Sequence, residues 1–406
     1  MKVPLLDVNA QNLPLEAELT ATFTRVLHSG RFIMGPEVTA LEEEVAVLVG
    51  AKHGIGVTSG TDAILVALMA LGIGPGDEVL CPTFTFIATA GCIARTGATP
   101  VFVDACPVCF NLDTDDAARK VTAKTRAIIP VHLFGQSAEM DAVMELAGNH
   151  DLRVIEDGAQ AIGSRYKGRG CGSIGDFGTY SFFPSKNLGG FGDGGMVVTN
   201  DDGLAEKVRV LRMHGSQPKY YHKEVGGNFR LDPLQAALLR VKLAHYGEYT
   251  EARRENAAYY TAELSALEGV VGADPSHCCC AGEQEQALGD AALVLPVPYE
   301  HNEHIWNQFT LRVRGDGRRD ALRQHLVDRD IGCEIYYPLT MDQQECFSYL
   351  GAGRHEGLEV AHQLVREALS IPIYSELTRE MQDEVVAAIR EFMALSQVHS
   401  DVEYLR

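Results

Sequence analysis

Lys186 has the surroundings that most favour chemistry in this sequence. It follows an aromatic run that contains a proline, YSFFPS at residues 180–185, and precedes five glycines within residues 187–195. Glycine lets a backbone approach a ligand closely, and apolar neighbours lower the pKa of an amine, as Schiff-base formation requires. The segment predicts an amine that forms a Schiff base, with a structural loop as the alternative if the segment is considered alone.

Two adjacent acids, Glu156 and Asp157, end a run typical of a strand, RVIED at residues 153–157. Open α/β sheets bind ligands at the carboxyl ends of their strands. Adjacent side chains on a strand point to opposite faces, so only one of the two acids can reach a ligand. We predict that Asp157, nearer to the strand end, is that acid; a helix-capping role is the alternative.

A third segment, TSGTDA at residues 58–63, stands where a predicted strand gives way to a helix rich in alanine and leucine. Free backbone N–H groups and the positive end of the helix dipole favour a phosphate at such a helix start. Plain N-capping is an equally good interpretation of this segment by itself. Together, the three segments supply a phosphate cradle, a carboxylate for a pyridinium nitrogen and an amine for an aldehyde, in the chain order of a pyridoxal 5′-phosphate site.

The elements that must position these residues alternate along the chain. Short β-branched runs, separated by helix-length stretches such as residues 61–71 and 138–149, predict an α/β fold with a mostly parallel sheet covered by helices on both faces. The strand candidates are residues 54–58, 78–82, 101–104, 127–131, 153–157 and 195–199. Residues 233–265 predict one or two long helices that lead out of this domain.

A chain of 406 residues exceeds what one hydrophobic core usually fills. We therefore predict a large domain at residues 1–250 and a smaller C-terminal α+β domain at residues 251–406. The second domain is expected to contain strands at 307–313 and 333–337 and helices at 320–328, 357–368 and 378–393. Residues 270–295, which include Cys278–Cys280, lack clean periodicity and predict a surface insertion.

Charge and composition exclude several classes of partner. The formal net charge of −20 offers no basic patch for nucleic acid or for an anionic membrane surface. No apolar stretch approaches the ~20 residues of a membrane span, and Asp7 interrupts the N-terminus before a signal peptide could form. We expect a cytoplasmic protein that acts on a small molecule.

The ten cysteines predict neither disulfides nor a metal site. Cys106 and Cys109 are separated by two residues but lack a second pair at zinc-ribbon spacing, and Cys278–Cys280 are consecutive, which suits few tetrahedral sites. We expect reduced thiols in a reducing compartment.

The sequence resembles the pyridoxal phosphate-dependent nucleotide-sugar aminotransferases of the DegT/DnrJ/EryC1/StrS group, which have the aspartate aminotransferase fold (fold type I). The resemblance extends over nearly the whole chain, from Leu5 to Tyr374. Its most specific motifs are SGTDA at 59–63, ED at 156–157, SFFPSK at 181–186 and GNFRLD at 227–232. It implies that Lys186 forms the Schiff base with the cofactor, while Asp157 pairs with the protonated ring nitrogen.

The resemblance also implies roles for residues whose own surroundings do not single them out. Gln160 would lie near the ring hydroxyl, and Phe86 would stack on the ring, although Phe86 considered alone is typical of a core aromatic. The phosphate would be held by Gly60, Thr61 and Ser181. Asn228 would reach the phosphate from a second subunit, so the active unit would be a homodimer.

The implied activity is the transfer of an amino group from L-glutamate, through pyridoxamine phosphate, to a keto group of a sugar linked to UDP or dTDP. Lys186 would move the protons. Residues 61–63 and 230–232 resemble those of members that aminate C-3, and amination at C-4 is the alternative. A keto-cyclitol aminotransferase and a non-catalytic regulatory homologue are further alternatives. A dehydratase of the same fold is disfavoured, because such relatives replace the lysine with histidine.

One departure from the family pattern lies in residues 336–344, YYPLTMDQQ. This chain has Asp342 at a position where the family often has a histidine. An acid there would repel a diphosphate if that histidine helps to bind one, which bears on the identity of the substrate.

Overall fold

The computed structural model describes residues 2–272, 288–351 and 356–403. The strands in these ranges are β1 (His53–Val57), β2 (Glu78–Pro82), β3 (Thr99–Val103), β4 (Thr125–Ile128), β5 (Arg153–Asp157), β6 (Arg165–Tyr166), β7 (Arg169–Gly170), β8 (Phe177–Ser181), β9 (Gly195–Thr199), β10 (Val270–Gly272), β11 (Leu293–Leu295), β12 (Asn302–Glu303), β13 (Phe309–Val313) and β14 (Ala368–Ile371).

The α-helices of the same ranges are α1 (Val8–Asn12), α2 (Glu16–Ser29), α3 (Pro36–Val49), α4 (Gly60–Leu71), α5 (Ile87–Arg95), α6 (Thr114–Arg119), α7 (Met140–His150), α8 (Asp202–Arg212), α9 (Pro233–Leu243), α10 (Tyr246–Ser265), α11 (Arg318–Val327), α12 (Glu359–Glu367) and α13 (Arg379–Glu403). Short 3₁₀ helices cover Leu13–Leu15, Leu133–Gly135, Met341–Gln343 and Glu345–Leu350. None of the helices in the described chain combines the length and apolar character that crossing a bilayer requires.

A seven-stranded sheet forms the centre of the first region, in the order β1-β9-β8-β5-β4-β2-β3. Parallel ladders join β8, β5, β4, β2 and β3, whereas β9 runs antiparallel to both of its neighbours. The predicted mostly parallel sheet is therefore confirmed.

Both faces of this sheet are buried, because successive side chains on each strand alternate between two cores. Ile155 and Val197 face a core shared with α4, α5 and α8. Their neighbours Val154 and Val198 face the opposite side, where α7 packs against the first and α3 and α9 against the second. The carboxyl ends of the parallel strands, left open between these helix layers, meet at one edge of the sheet.

The second region is a smaller α+β unit built on the sheet β10-β11-β13-β14. Its core joins strand residues such as Leu311 to Tyr260 of α10, Leu326 of α11 and Ile389 of α13. Val3, near the N-terminus, belongs to the same core. Because α10 runs unbroken across residue 250, the division at residues 250 and 251 stays a prediction.

The strands of the seven-stranded sheet agree with the sequence prediction within a few residues, except that β8 was not predicted. Its sequence, FGTYS, contains a glycine and leads directly into the Lys186 segment, so the pattern is typical of a loop. Pairing with β5 and β9 on both sides stabilises it as a strand.

Two predictions for the second region differ from the structure. Residues 333–337 do not form a strand; Glu334 makes an isolated bridge to Ser370 before the chain turns toward the first region. The predicted insertion at 270–295 begins in β10 and ends in β11, which belong to the second sheet. Residues 273–287, with Cys278–Cys280, lie outside the described residues.

Cys81, Cys92 and Cys171 are free thiols, and Cys106 and Cys109 are buried. Burial raises the pKa of Cys92 to about 12 and that of Cys171 to about 12, so both thiols stay protonated near neutral pH.

Candidate active site

The turn from β1 into α4 lies against the end of β8. Ser59 caps α4, because its side-chain oxygen accepts a hydrogen bond from the backbone N–H of Asp62 at 3.0 Å. Gly60 approaches β8 so closely that a Cβ on it would stand 2.7 Å from the Cβ of Ser181. The first turn of the helix, with Gly60 and Thr61, therefore borders Ser181 and leaves its first N–H groups available to an anion.

The two acids at the end of β5 have different environments. Glu156 is fully buried, and its carboxylate accepts hydrogen bonds from the His132 ring at 2.9 Å and from the backbone N–H groups of Gly172, Ile174 and Gly175 at 2.7 Å each. The backbone N–H of Ala138 donates to His132 Nδ1, so the ring proton is on Nε2. Since the Glu156 carboxylate accepts four hydrogen bonds from within the protein, its role is to stabilise the fold.

Asp157 meets helix α5 instead. Its Oδ2 atom accepts a hydrogen bond from the Thr89 hydroxyl at 2.8 Å, and its Oδ1 atom accepts one from the backbone N–H of Ala159 at 3.1 Å. Burial raises the pKa of the Asp157 carboxyl above its usual value, although these hydrogen bonds and the positive charge of Lys186 oppose the shift. The site therefore contains a buried carboxylate that a further cation would stabilise.

Lys186 lies within electrostatic range of this carboxylate. Burial lowers the pKa of its amine to about 8, while the charge of Asp157 opposes the shift. An amine with that pKa is about one-tenth neutral at pH 7, far more than an ordinary lysine. The amine is thus able both to attack a carbonyl carbon and to exchange protons near neutral pH.

The glycine run after Lys186 forms a tight turn that is anchored at two points. A Cβ on Gly189 would overlap a backbone oxygen of the same turn, so the turn requires glycine there. The fully buried Lys242 donates a hydrogen bond to the Gly189 carbonyl at 2.7 Å. On the other side, the Asn187 amide donates to the Ile305 carbonyl at 2.9 Å. Both regions of the chain therefore fix the position of Lys186.

The segment that receives Asn187 is itself rigidly held. Trp306, the single tryptophan of the chain, is buried and stacks on the His304 ring with centroids 3.9 Å apart. Its carbonyl accepts a hydrogen bond from the buried Arg253 at 3.0 Å. The Asn307 amide donates to the Asn187 side-chain oxygen at 2.8 Å, which completes the support of the lysine turn.

Gln160 and Phe86 meet at Tyr337. The Gln160 amide donates a hydrogen bond to the Tyr337 hydroxyl at 3.2 Å, and the Phe86 ring lies 6.3 Å from the Tyr337 ring. Phe86 is 55% exposed, so it is not the core aromatic that its own surroundings suggest; Phe84, two residues earlier, is the buried one.

Asn228 is exposed and lies beside the β1–α4 turn. It forms an isolated bridge with Met213, and the carbonyl of the next residue, Phe229, accepts a hydrogen bond from the Thr58 backbone N–H at 3.1 Å. Within the described residues, the Asn228 side chain forms no hydrogen bond with the other predicted site residues.

Three side chains at this site were not predicted from the sequence: Thr89, Lys242 and Tyr337. A signal existed for Thr89, because it follows Phe86 by three residues and so lies on the same side of α5. Lys242 lies in a helix where a lysine is typical of a solvated face, and Tyr337 comes from the second region. Neither has a local pattern that indicates its contacts.

Asp342, at the position of the family histidine, is held by partners within the protein. Its carboxylate accepts a hydrogen bond from the Thr83 hydroxyl at 2.7 Å and contacts His362 Nε2 at 2.8 Å. Burial raises the pKa of this carboxyl, but the nearby Thr340 and Thr83 hydroxyls and His362 outweigh the effect, and the pKa lies below its usual value. The Asp342 carboxylate is therefore engaged by hydrogen bonds within the protein.

Replacing Asp342 with asparagine is expected to lower the free energy of unfolding at pH 7 by about 1–3 kcal/mol, because charge-assisted hydrogen bonds are lost. Since its pKa is lowered in the folded state, Asp342 stabilises the fold above its unfolded pKa of about 3.9, and this contribution is lost as the pH falls through the folded value. Urea unfolding at several pH values should therefore show a smaller loss of stability on acidification in the variant. Asp316→Asn, at an exposed position, is the matched control; equal effects of the two changes would contradict the stabilising role of Asp342.

The mostly parallel sheet, with a helix that starts at Gly60, a buried carboxylate and a lysine of lowered pKa at its edge, defines an α/β protein of the fold type I class. The chain belongs to the DegT/DnrJ/EryC1/StrS aminotransferase family, whose model matches residues 14–278 and 281–390. The predicted family, fold type and aminotransferase class are confirmed.

Several relatives are similar over nearly their whole length. A pleiotropic regulatory protein of Geobacillus stearothermophilus is 47% identical over 97% of this chain and 99% of its own. A UDP-N-acetyl-3-dehydro-alpha-D-glucosamine 3-aminotransferase of Acidithiobacillus ferrooxidans is 43% identical over 96% of this chain and 97% of its own. The crystal structure of S. venezuelae DesV in complex with a ketimine intermediate superposes with a TM-score of 0.87 at 40% identity, covering 96% of this chain and 98% of that chain.

Proposed function

We propose that the protein is a pyridoxal 5′-phosphate-dependent aminotransferase that moves an amino group from L-glutamate to the C-3 keto group of a sugar linked to UDP or dTDP. The single observation that carries the proposal is the Lys186 amine, with a pKa of about 8, within electrostatic range of the buried carboxylate of Asp157. A buried acid and a partly neutral amine are the pair that this cofactor needs.

The residues of the site fit the cofactor in three respects. The Asp157 carboxylate, destabilised by burial, would be stabilised by a protonated ring nitrogen. The start of α4 beside Ser181 offers backbone N–H groups to a phosphate, and only a glycine at position 60 permits that approach. Phe86 is exposed at the site, where it can cover one face of a ring. The residues proposed to hold the cofactor are Gly60, Thr61, Phe86, Asp157, Gln160, Ser181 and Lys186, with Asn228 of a second copy.

When bound, pyridoxal phosphate supplies an aldehyde carbon for amines and a ring that withdraws electrons from the neighbouring bonds. Lys186 Nζ would anchor it and, once displaced by the amino donor, would take the proton from the donor α-carbon and deliver it to the former aldehyde carbon. The lowered pKa of Lys186 keeps both its neutral and its charged forms accessible near pH 7. Thr89 would hold the Asp157 carboxylate in place, so that the ring nitrogen keeps its proton.

For the substrates, we propose L-glutamate as the donor, with pyridoxamine phosphate formed between the two half-reactions, and a nucleotide-linked keto sugar as the acceptor. Residues 61–63 and 230–232 favour C-3, as does the activity for which the A. ferrooxidans relative is named. Amination at C-4 and amination of a keto-cyclitol are the alternatives. The Asp342 carboxylate is held by Thr83 and His362, so it is engaged within the protein.

We also propose a homodimer in which Asn228 reaches the phosphate of the partner's site, and a cytoplasmic location. Support for the dimer comes from the exposed side chain of Asn228 and from large apolar side chains left on the surface. These include Phe32, Ile33, Phe183, Tyr220 and Tyr221, each more than 40% exposed.

A regulatory role is the second candidate, favoured by the name of the G. stearothermophilus relative. It differs from the first in predicting no reaction with glutamate. The complete set of Lys186, Asp157 and the glycine-started helix favours catalysis.

An amino-transfer assay tests the proposal. The purified protein should turn yellow with pyridoxal phosphate and bleach when L-glutamate is added; a protein that stays colourless would refute the cofactor, and one that does not bleach would favour the regulatory role. The bleached protein should then aminate a 3-keto UDP- or dTDP-sugar at least about tenfold faster than its 4-keto isomer, a difference of about 1.4 kcal/mol in transition-state binding. Faster reaction with the 4-keto isomer, or equal reaction with a free keto-cyclitol, would assign one of the alternatives.

A further inference from the structure

Tyr337 contributes a hydroxyl group to the site from the second region of the chain. The Gln160 side-chain oxygen accepts a hydrogen bond from the Phe134 backbone N–H at 2.7 Å. Because a backbone N–H only donates, this contact fixes the orientation of the Gln160 amide, and its Nε2 atom must be the donor to the Tyr337 hydroxyl at 3.2 Å. One N–H of Gln160 is thus held by Tyr337, and the second is left for another acceptor.

The ring of Tyr337 is also fixed. It packs against Phe86 at 6.3 Å and edge-on against the buried Phe84 at 6.0 Å, both in the segment that joins β2 to α5 in the first region. Burial, followed by the nearby charges of Asp157 and Tyr336, raises the pKa of the Tyr337 hydroxyl, so it stays protonated at neutral pH. Its proton is not used by the bond from Gln160.

We infer that Tyr337 is a positioning residue of this site: it orients the Gln160 amide and supports Phe86, and so sets the protonation behaviour of the cofactor linkage on Lys186. The inference rests on the proposed function, in which Gln160 lies near the ring hydroxyl and Phe86 on the ring face. A donor fixed beside the ring oxygen stabilises the more negative, deprotonated form of the linkage. Loss of that fixation should therefore make the linkage more basic.

The titratable groups near the Gln160 amide come from both regions of the chain. On the first region, Asp157 lies within electrostatic range of Lys186 and His132, and on the second region Tyr336 adjoins Tyr337. None of these groups is changed when the hydroxyl of Tyr337 is removed. A shift in titration after that change would therefore not come from the loss of one of these groups.

The test is a pH titration of the visible absorption of the cofactor-loaded protein without substrate. In Tyr337→Phe the midpoint should move upward by about half a unit to one unit, the range expected for loss of one hydrogen bond. Tyr336→Phe is the matched control: it removes the hydroxyl of the adjacent tyrosine, which is not a partner of Gln160, and should titrate as the unchanged protein does.

A double-mutant cycle separates positioning through Gln160 from a general effect on packing. If Tyr337 acts through Gln160, then Tyr337→Phe should add no further shift in a Gln160→Ala background. Additive shifts, an unshifted Tyr337→Phe midpoint, or equal shifts in Tyr337→Phe and Tyr336→Phe would overturn the inference. Failure of the unchanged protein to develop visible absorption would instead refute the proposed function.

Discussion

Replacing Lys186 with alanine is expected to lower the rate of amino transfer by roughly a thousandfold or more, because one side chain is proposed to act both as the anchor and as the proton carrier. The fold should be retained, since the turn around Lys186 is held by Gly189, Asn187 and their partners rather than by the amine. The measurement is bleaching by glutamate, followed by product formation from the keto sugar. For an unchanged protein, the rate should rise with pH through about 8, because the proton-accepting form of Lys186 is the neutral amine.

The matched control is Lys52→Ala, which removes an exposed lysine paired with Asp202 at the surface. It should leave both the rate and its pH dependence unchanged. Full activity of Lys186→Ala would contradict the proton-carrier role. So would residual activity of this variant with the same pH dependence as the unchanged protein.

The second large effect concerns the adjacent acids of β5. Replacing Asp157 is expected to lower activity but not stability, and replacing Glu156 is expected to lower stability but not cofactor binding. Asp157→Asn is expected to reduce amino transfer about 100-fold or more, because an amide does not keep the ring nitrogen protonated. Burial raises the pKa of Asp157 in the folded state, so its ionised form lowers stability as the pH rises above the unfolded value of about 3.9. The cofactor-free variant should therefore be at least as stable as the unchanged protein at pH 7.

Glu156→Gln should do the reverse. It keeps the shape of the side chain but weakens the hydrogen bonds from His132 and three backbone N–H groups, and should lower the free energy of unfolding by about 3 kcal/mol. Cofactor binding per folded molecule should be little changed. Urea unfolding and cofactor titration of both variants measure the contrast. If Asp157→Asn were the less stable variant and Glu156→Gln the less active one, the assignment of Asp157 to activity and of Glu156 to stability would be wrong.

The sequence identified these two acids because strand periodicity is a local rule. Alternation along RVIED predicts that one acid faces a ligand, and the structure gives the two carboxylates separate environments. The same local rules locate the strands of the central sheet and the helix start at Gly60. They do not indicate what Glu156 does, because three of its four partners lie in the loop 172–175, which has no regular pattern.

Contacts between distant segments account for what the sequence did not show. Gln160 and Tyr337 are separated by 177 residues, and Gly189 and Lys242 by 53. No spacing rule links such pairs, and a lysine in a helix or a tyrosine before a proline has several ordinary interpretations. For Phe86 the local pattern is misleading, because it predicts a core aromatic and Phe86 is exposed. The buried aromatic of this segment is Phe84. Side chains that complete a site from another region become visible only after folding.

The single tryptophan gives the chain an optical reporter of this region. Trp306 stacks on His304, and the residue before it, Ile305, holds the turn that contains Lys186. Indole emission depends on the surroundings of the ring, and in a chain with one tryptophan the indole emission comes from one place only. Tryptophan fluorescence should therefore report changes at the lysine turn in real time, without a label and without any substitution in the protein.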